Sequence, residues 1–301
     1  MFDPDRFIAE RVRAIDASGI RRVFDLAAKL ENPVNLSIGQ PDFDVPAPVK
    51  RAAIEAIESG RNRYTVTQGE PALREAIAAD LEQTLPGWRF QDAGSGTGES
   101  GLLVTSGVSG GLMLAILSCA GPGDEVLMPD PYFVMYRHLV TLAGATPVCI
   151  DTYPDFQLTP ERIEAALTER SRLLLFNSPS NPTGAVADGP TCRAVADLCE
   201  QRGLLLISDE IYDGFCALPH PRRALGPAAV AAGILQDLRH DRLAPRLRRR
   251  AAADHRGHDA PAAVLFCLRP LDGAGRGPRR PRNAHARDDP GLRPQARSGG
   301  G

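Results

Sequence analysis

The feature that most constrains the fold is a regular alternation of short apolar runs and longer helical patterns between residues 102 and 208. Runs of aliphatic and β-branched residues predict strands at 102–105, 125–128, 146–150, 172–176 and 204–208. Patterns typical of helices lie between them, at 109–120, 132–142, 160–169 and 188–202. Because strands that alternate with helices pair in parallel and are covered on both faces, we predict an α/β fold with a doubly wound, mostly parallel sheet.

The region upstream of this alternation is mainly helical in pattern. Helices are predicted at residues 5–30, 46–59 and 70–85, with an extended segment at 33–38 and a polar, Gly-rich loop at 86–101. We expect residues 1–45 to form an N-terminal arm and part of an incomplete small domain. Residues 46–216 are expected to form the large domain.

Residues 217–301 differ from the rest of the chain in composition. They contain 17 Arg and 7 Asp but no Lys or Glu, a local charge of +10, so the remainder carries −12 to give the net charge of −2. They also lack Thr, Tyr, Trp and Met and are rich in Arg, Ala, Pro and Gly, unlike an ordinary domain. We therefore expect this tail to be disordered or non-native. Binding of nucleic acid through the arginines is the alternative, but no aromatic stacking platform or binding motif accompanies them.

The cysteines and the N-terminus indicate the compartment. The 6 cysteines form no C-x-x-C pair and no His-interleaved cluster, so reduced thiols and no metal site are expected. The N-terminus is charged, and no uninterrupted apolar run is long enough to cross a bilayer. We predict a cytoplasmic protein without a membrane partner.

A turn between a predicted strand and a predicted helix, Thr-Ser-Gly-Val-Ser-Gly-Gly at residues 105–111, has the pattern of an anion site. The amide groups of Gly107, Val108 and Ser109 would point out of the helix N-terminus, where the helix dipole also favours an anion such as phosphate. An ordinary turn capped by Ser109 is the alternative interpretation.

Asp209 follows a predicted buried strand, at the position where open α/β sheets bind ligands. A carboxylate there would raise the pKa of a pyridine nitrogen and keep it protonated, although helix capping is the alternative. Tyr212 and Asn181 would donate hydrogen bonds to an oxygen of the same ring, and Phe133 would cover one ring face. For Tyr212 and Phe133, a role in packing alone is the alternative. A phosphate cup, an apolar face and a carboxylate are three of the four groups that pyridoxal phosphate needs; the fourth is a lysine.

Six segments together resemble the class I/II aminotransferases among the fold-type-I pyridoxal-phosphate enzymes, over about residues 10–216. They are SIGQPDF (37–43), YTVTQGEPALREAI (64–77), TSGVSGGL (105–112), PDPYF (129–133), NSPSNPTG (177–184) and SDEIYDGF (208–215), in family order and spacing. The resemblance implies pyridoxal 5'-phosphate as cofactor, amino acid and 2-oxo acid substrates, and a homodimer. It also implies these roles: Gly107, Val108 and Ser109 bind the phosphate, Phe133 stacks on the ring, Asn181 and Tyr212 contact its phenolate oxygen, Asp209 pairs with the pyridine nitrogen, Gly39 lines the substrate pocket, and Tyr64 reaches the phosphate of the neighbouring subunit.

The family pattern breaks after residue 216. Members of the family carry downstream the lysine that holds the cofactor as an imine, whereas the only lysines here are Lys29 and Lys50. Residues 234–249 can be encoded so that moving the frame by one nucleotide yields SSKTYGMTGWRLGYA, which resembles the family's lysine segment. We therefore interpret the tail as frameshifted from a point between residues 216 and 233, and expect the chain as written to be inactive. A carbon-sulfur β-lyase on the same scaffold and a noncatalytic cofactor-binding remnant are the alternatives.

Overall fold

The computed structural model describes residues 3–15, 26, 30, 44–84, 101–213, 229–233 and 263–267. In these ranges the helices are a 3-10 helix Pro4–Phe7, α1 Glu10–Arg13, α2 Ala47–Glu58, α3 Pro71–Thr84, α4 Gly107–Cys119, α5 Met135–Leu142, α6 Pro160–Ala166 and α7 Gly189–Arg202. The strands are β1 Leu103–Ser106, β2 Glu125–Asp130, β3 Thr146–Asp151, β4 Ser171–Asn177, β5 Leu205–Asp209, β6 Ala229–Gly233 and β7 Ala263–Cys267.

The strands form one 7-stranded sheet in the order β1-β7-β6-β5-β4-β2-β3. Strands β2 to β6 pair in parallel, and β7 pairs antiparallel with both β1 and β6. Since β7 reverses direction against both neighbours, β1 runs parallel to β6 and to the rest. The predicted α/β fold with a mostly parallel sheet is confirmed, and the carboxyl ends of β1 to β6 lie along one edge of it.

The core lies on both faces of the sheet, as a doubly wound fold requires. Leu175 and Ile207 pack on one face with Leu112 of α4 and Tyr136 of α5. The neighbouring strand residues Leu174 and Leu206 pack on the other face, with Ile163 of α6 and Cys192 of α7, among others. Alternate residues of a strand point to opposite faces, so strands covered on both sides are apolar throughout. This explains the short, continuous apolar runs in the sequence.

The predicted elements differ from the observed ones mainly at their ends. All five predicted strands are present, each displaced or extended by one or two residues. The predicted helix at 5–30 is wrong for its first part, because Ile8 and Ala9 have extended backbone and separate the 3-10 helix from α1. Most of the rest of that helix, the segment 33–38 and most of the loop 86–101 lie outside the described residues.

Two strands come from the tail, where the composition led us to expect no native structure. The backbone of Ala229–Gly233 pairs with β5, and that of Ala263–Cys267 pairs with β1 and β6. All described residues belong to one compact unit, Met1–Pro270. No helix in the described part of the chain is both long enough and apolar enough to span a bilayer.

Helix α7 offers a test of local stabilisation. Asp188, its N-cap residue, accepts a hydrogen bond from the amide of Thr191 at 2.8 Å. The side chain of Thr191 first, and then this amide, lower the pKa of the exposed carboxyl group. We expect Asp188→Ala to lower the free energy of unfolding at neutral pH, because helix α7 loses its N-cap hydrogen bond. Since the pKa is lowered in the folded state, the part of this difference that depends on the carboxylate charge should be lost as the pH falls through that lowered pKa, below about 4. Asp197→Ala, at an exposed position inside the same helix, is the control in urea unfolding and should change little.

Candidate functional site

The site is centred on Asp209, the last residue of β5, which is only 4% exposed. Its Oδ2 accepts a hydrogen bond from the Tyr136 hydroxyl group at 2.6 Å, and its Oδ1 accepts one from the amide of Ile211 at 3.2 Å. The alternation of strand side chains places Asp209 on the same face as Ile207, which packs in one cluster with Tyr136. The sequence placed Asp209 just past the strand; in the structure it ends the strand.

Asp209 is a buried acid without a cationic partner in the part of the chain that the structure describes. Burial raises its pKa to about 6, although the hydrogen bond from Tyr136 acts in the opposite direction. A buried charge is costly unless it is paired, so such a group is suited to a ligand that brings its own positive charge. Perturbed acids of this kind are concentrated at functional sites.

The raised pKa predicts how the stability of the ligand-free chain depends on pH. The folded state keeps a proton on Asp209 that the unfolded chain releases near pH 4, so this group lowers the stability as the pH rises from about 4 to 6. Relative to an Asp209→Asn variant, the parent should lose about 2–3 kcal/mol of unfolding free energy over that interval. Urea unfolding at several pH values measures the difference. An Asp209→Asn curve parallel to the parent's would contradict the prediction.

The loops after β4 and β5 are joined by asparagine side chains. Asn177 donates from Nδ2 to the main-chain oxygen of Asp209 at 2.9 Å, and its Oδ1 accepts from the amide of Asn181 at 2.7 Å. Asn181 in turn donates from Nδ2 to the Tyr212 hydroxyl oxygen at 3.2 Å. The structure therefore brings together Asn181, Tyr212 and Asp209, which the sequence analysis had selected from two separate segments.

Helix α4 begins at Gly107, immediately after β1. The interpretation of Ser109 as the N-cap is wrong, because the N-cap position is Ser106, which makes no side-chain capping bond. Gly107 has φ of 70°, a left-handed conformation that only glycine adopts without strain. The amides of Gly107, Val108 and Ser109 lie in the first helical turn, where they have no intrahelical acceptor and are suited to an anion.

The helix start and Asp209 lie on the same side of the sheet. The helix start follows β1 and Asp209 ends β5, and the carboxyl ends of these two strands share one edge of the sheet. Val108, in the first turn of α4, also packs in the same apolar cluster as Tyr136, the partner of Asp209. An anion at the turn and a cation at Asp209 would therefore approach the same region of the protein.

Phe133 and Tyr136 form an aromatic pair beside Asp209. Phe133 is partly buried and precedes helix α5, which starts at Met135 and not at 132 as predicted. Its ring meets that of Tyr136 edge to face, with centroids 5.7 Å apart and planes at 84°. Tyr136 and Asn177 were not among the site residues predicted from the sequence. The available signals were the spacing of Tyr136, about one helical turn after Phe133, and the place of Asn177 at the start of NSPSNPTG.

Two predicted residues are not part of this group. The Tyr64 side chain is fully exposed, on a segment that lies against β1: the amide of Val104 donates to the Gln68 oxygen at 3.0 Å. A Cβ at Gly69 would lie 2.6 Å from side-chain atoms of Val104, so this contact requires glycine. Gly39 lies outside the described residues.

Comparison with known proteins gives consistent matches. A model of the family described as aminotransferase class I and II matches residues 31–234. A probable aspartate aminotransferase of Methanocaldococcus jannaschii is 37% identical over 206 residues, covering 68% of this chain and 52% of the relative. An aromatic-amino-acid aminotransferase of Thermococcus litoralis is 33% identical over 210 residues, covering 69% and 52% respectively. The solved structure of aspartate aminotransferase from Thermus thermophilus with maleate is 30% identical, covers 88% of this chain and 65% of that chain, and has a TM-score of 0.69.

The chain spans about half the length of the curated relatives that it matches. The family match also stops at residue 234, whereas the chain continues to residue 301. The matched part includes every residue of the site described above.

Proposed function

This chain belongs to the aminotransferase class I and II family, and we propose that its fold is that of a pyridoxal-phosphate-dependent enzyme that moves an amino group from an amino acid to a 2-oxo acid. Members of the family use pyridoxal phosphate. The observation that carries the proposal is the buried Asp209 carboxylate at the end of β5, with no cationic partner among the described residues. A protonated pyridine nitrogen would provide that partner.

The described residues fit this cofactor at its ring nitrogen, its ring oxygen and its phosphate. Asp209 would hold the proton on the ring nitrogen, Asn181 and Tyr212 would donate to the ring oxygen, and the first-turn amides of α4 would bind the phosphate. Phe133 would cover one ring face and exclude water there. The cofactor, when bound, supplies an electron-withdrawing ring that stabilises negative charge at the Cα of the amino acid.

The chain as written lacks the group that would move the Cα proton. Lys29 and Lys50 precede the sheet, and no lysine follows them. We propose that this chain is an inactive version whose reading frame changes between residues 216 and 233. The end of the family match at residue 234 and the Arg-, Ala-, Pro- and Gly-rich composition beyond it support this proposal. The missing lysine equally favours a second candidate function, a noncatalytic protein that retains cofactor binding.

The intact protein is proposed to be a cytoplasmic homodimer. The fully exposed Tyr64 supports the dimer, because its assigned role is to reach the phosphate of the neighbouring subunit. The relatives are named for aspartate and for aromatic amino acids. We therefore propose amino acid and 2-oxo acid substrates without assigning the substrate side chain.

Titration with pyridoxal phosphate, followed by absorbance, tests the proposed site in this chain. We expect weak, reversible binding that borohydride reduction does not convert into a covalent adduct at a site lysine. Absence of any binding would refute the cofactor site. Specific fixation of the cofactor to a lysine of this chain would refute the proposed inactivity.

A further inference from the structure

The Asp209 carboxylate is held by two donors from different elements. The amide of Ile211, just after β5, donates to Oδ1 at 3.2 Å, and the hydroxyl group of Tyr136, on α5, donates to Oδ2 at 2.6 Å. Each carboxylate oxygen offers two lone pairs, so one on each oxygen is left by the donors of the described residues and can accept from a further donor. The plane of the carboxylate is therefore set before any ligand arrives.

Tyr136 is itself held in a single environment. Its side chain is fully buried, it packs with Leu112 and Ile207, and its ring meets the edge of Phe133. A buried phenol needs a hydrogen-bond partner, and Asp209 is that partner. The main chain of Asp209 is braced separately, by the Asn177 side chain.

The donor to Asp209 is a neutral phenol, and this determines whether the carboxylate keeps its charge. A lysine or arginine at this position would neutralise Asp209 and compete with a protonated ring nitrogen for it. A phenol donates a strong hydrogen bond to a carboxylate but leaves the negative charge in place. The arrangement thus stabilises the charge and still leaves it available to a cationic ligand.

We propose that Tyr136 is a positioning residue of this site: its hydroxyl group orients the Asp209 carboxylate and stabilises its negative charge toward the pyridine nitrogen. The inference rests on the proposed function for the identity of the ligand, but the interaction between Tyr136 and Asp209 belongs to the ligand-free chain. Tyr136 does not touch the reacting atoms in this role and acts through Asp209.

The other titratable groups around Asp209 in the described part of the chain are few. Glu210, the next residue, raises the pKa of Asp209, whereas the hydrogen bond from Tyr136 lowers it. Burial raises the pKa of Tyr212 most, and the charge of Asp209 raises it further. Burial and then the charge of Asp209 also raise the pKa of Tyr136. Tyr136 is thus the only one of these side chains that stabilises the carboxylate form.

The test is the titration of Asp209 in the full ligand-free chain, followed by carbon NMR of labelled aspartate carboxyl groups. Asp209→Asn identifies the signal. We expect Tyr136→Phe, which keeps the ring and removes only the hydroxyl group, to move the midpoint of Asp209 upward by about one to two pH units. Tyr153→Phe, at a half-exposed tyrosine outside the site, is the matched control and should leave it unchanged. An unchanged midpoint in Tyr136→Phe would overturn the proposal.

A reciprocal measurement does not require Tyr136→Phe to fold. In Asp209→Asn the negative charge next to Tyr136 is removed, so this phenol should ionise at lower pH than in the parent, as seen by phenolate absorbance. An unchanged ionisation of Tyr136 in Asp209→Asn would also contradict the proposed interaction between the two side chains.

Pyridoxal phosphate separates this inference from the proposed function. If the parent binds the cofactor, Tyr136→Phe should weaken that binding most near neutral pH, where Asp209 becomes protonated in the variant, and should leave the affinity for inorganic phosphate unchanged. If the parent does not bind the cofactor at all, the proposed function fails, while the titration of Asp209 still decides the role of Tyr136.

Discussion

An Asp209→Ala variant is expected to bind pyridoxal phosphate at least about 100-fold more weakly than the parent chain. Removing one partner of a buried, hydrogen-bonded charge pair costs about 3–5 kcal/mol, and a hundredfold loss corresponds to about 3 kcal/mol. In this case the substitution removes the only described group placed to neutralise the ring nitrogen. Absorbance titration at pH 8, where Asp209 is ionised in the parent, measures the two affinities.

The matched control is Asp151→Ala. Asp151 also ends a parallel strand, β3, but its side chain is exposed and accepts a hydrogen bond from the amide of Tyr153 at 2.8 Å. Its replacement should leave cofactor affinity unchanged. Affinity for inorganic phosphate should be the same in all three proteins, because that ligand uses the first turn of α4. Equal loss of cofactor binding in both aspartate variants would indicate general destabilisation and would remove the support for the site.

A chain whose reading frame is restored between residues 216 and 233 is expected to gain covalent cofactor binding and transamination. In that frame residues 234–249 can be encoded to read SSKTYGMTGWRLGYA, which would return a lysine to the segment that follows the site residues. A positioned general acid/base contributes about 100-fold to 10,000-fold in rate. We therefore expect the restored chain to catalyse transamination at least about 100-fold faster than the present chain. Borohydride reduction followed by mass spectrometry should locate the cofactor on the restored lysine.

The control is the same restored chain with the codon of that lysine changed to arginine. It should bind the cofactor reversibly and show no covalent adduct after reduction. Reading the gene across codons 216 to 233 is the direct complement. An uninterrupted frame relative to close relatives, or a restored chain that forms no adduct, would refute the frameshift interpretation.

Five of the seven described strands could be predicted from the sequence because their pattern is local. Five apolar runs separated by helical patterns predicted five strands that the structure contains, and their order implied parallel pairing. The pairing of Ala263–Cys267 with β1 and β6 was not predicted. These strands lie in different parts of the chain, and the sequence pattern of a strand does not indicate which strand it pairs with.

The site, like the fold, could be predicted from the sequence only in part. Asp209 and the turn at Gly107 could be selected from sequence because both follow predicted strands, and strand ends are where α/β sheets bind ligands. The start of α4 at Gly107 was missed by two residues, because Ser109 was taken as the cap and the left-handed conformation of Gly107 is not visible in composition.

What the sequence by itself determined is the family, the parallel sheet, the chemistry of each candidate side chain and the absence of a lysine after Lys50. What only the tertiary structure decided is which polar groups meet. Tyr136 and Asp209 are 73 residues apart, and their 2.6 Å contact exists because α5 packs across the face of the sheet where β5 ends. Secondary structure follows from local periodicity, whereas the convergence of a buried phenol on a buried carboxylate depends on how whole elements pack, which no local pattern records.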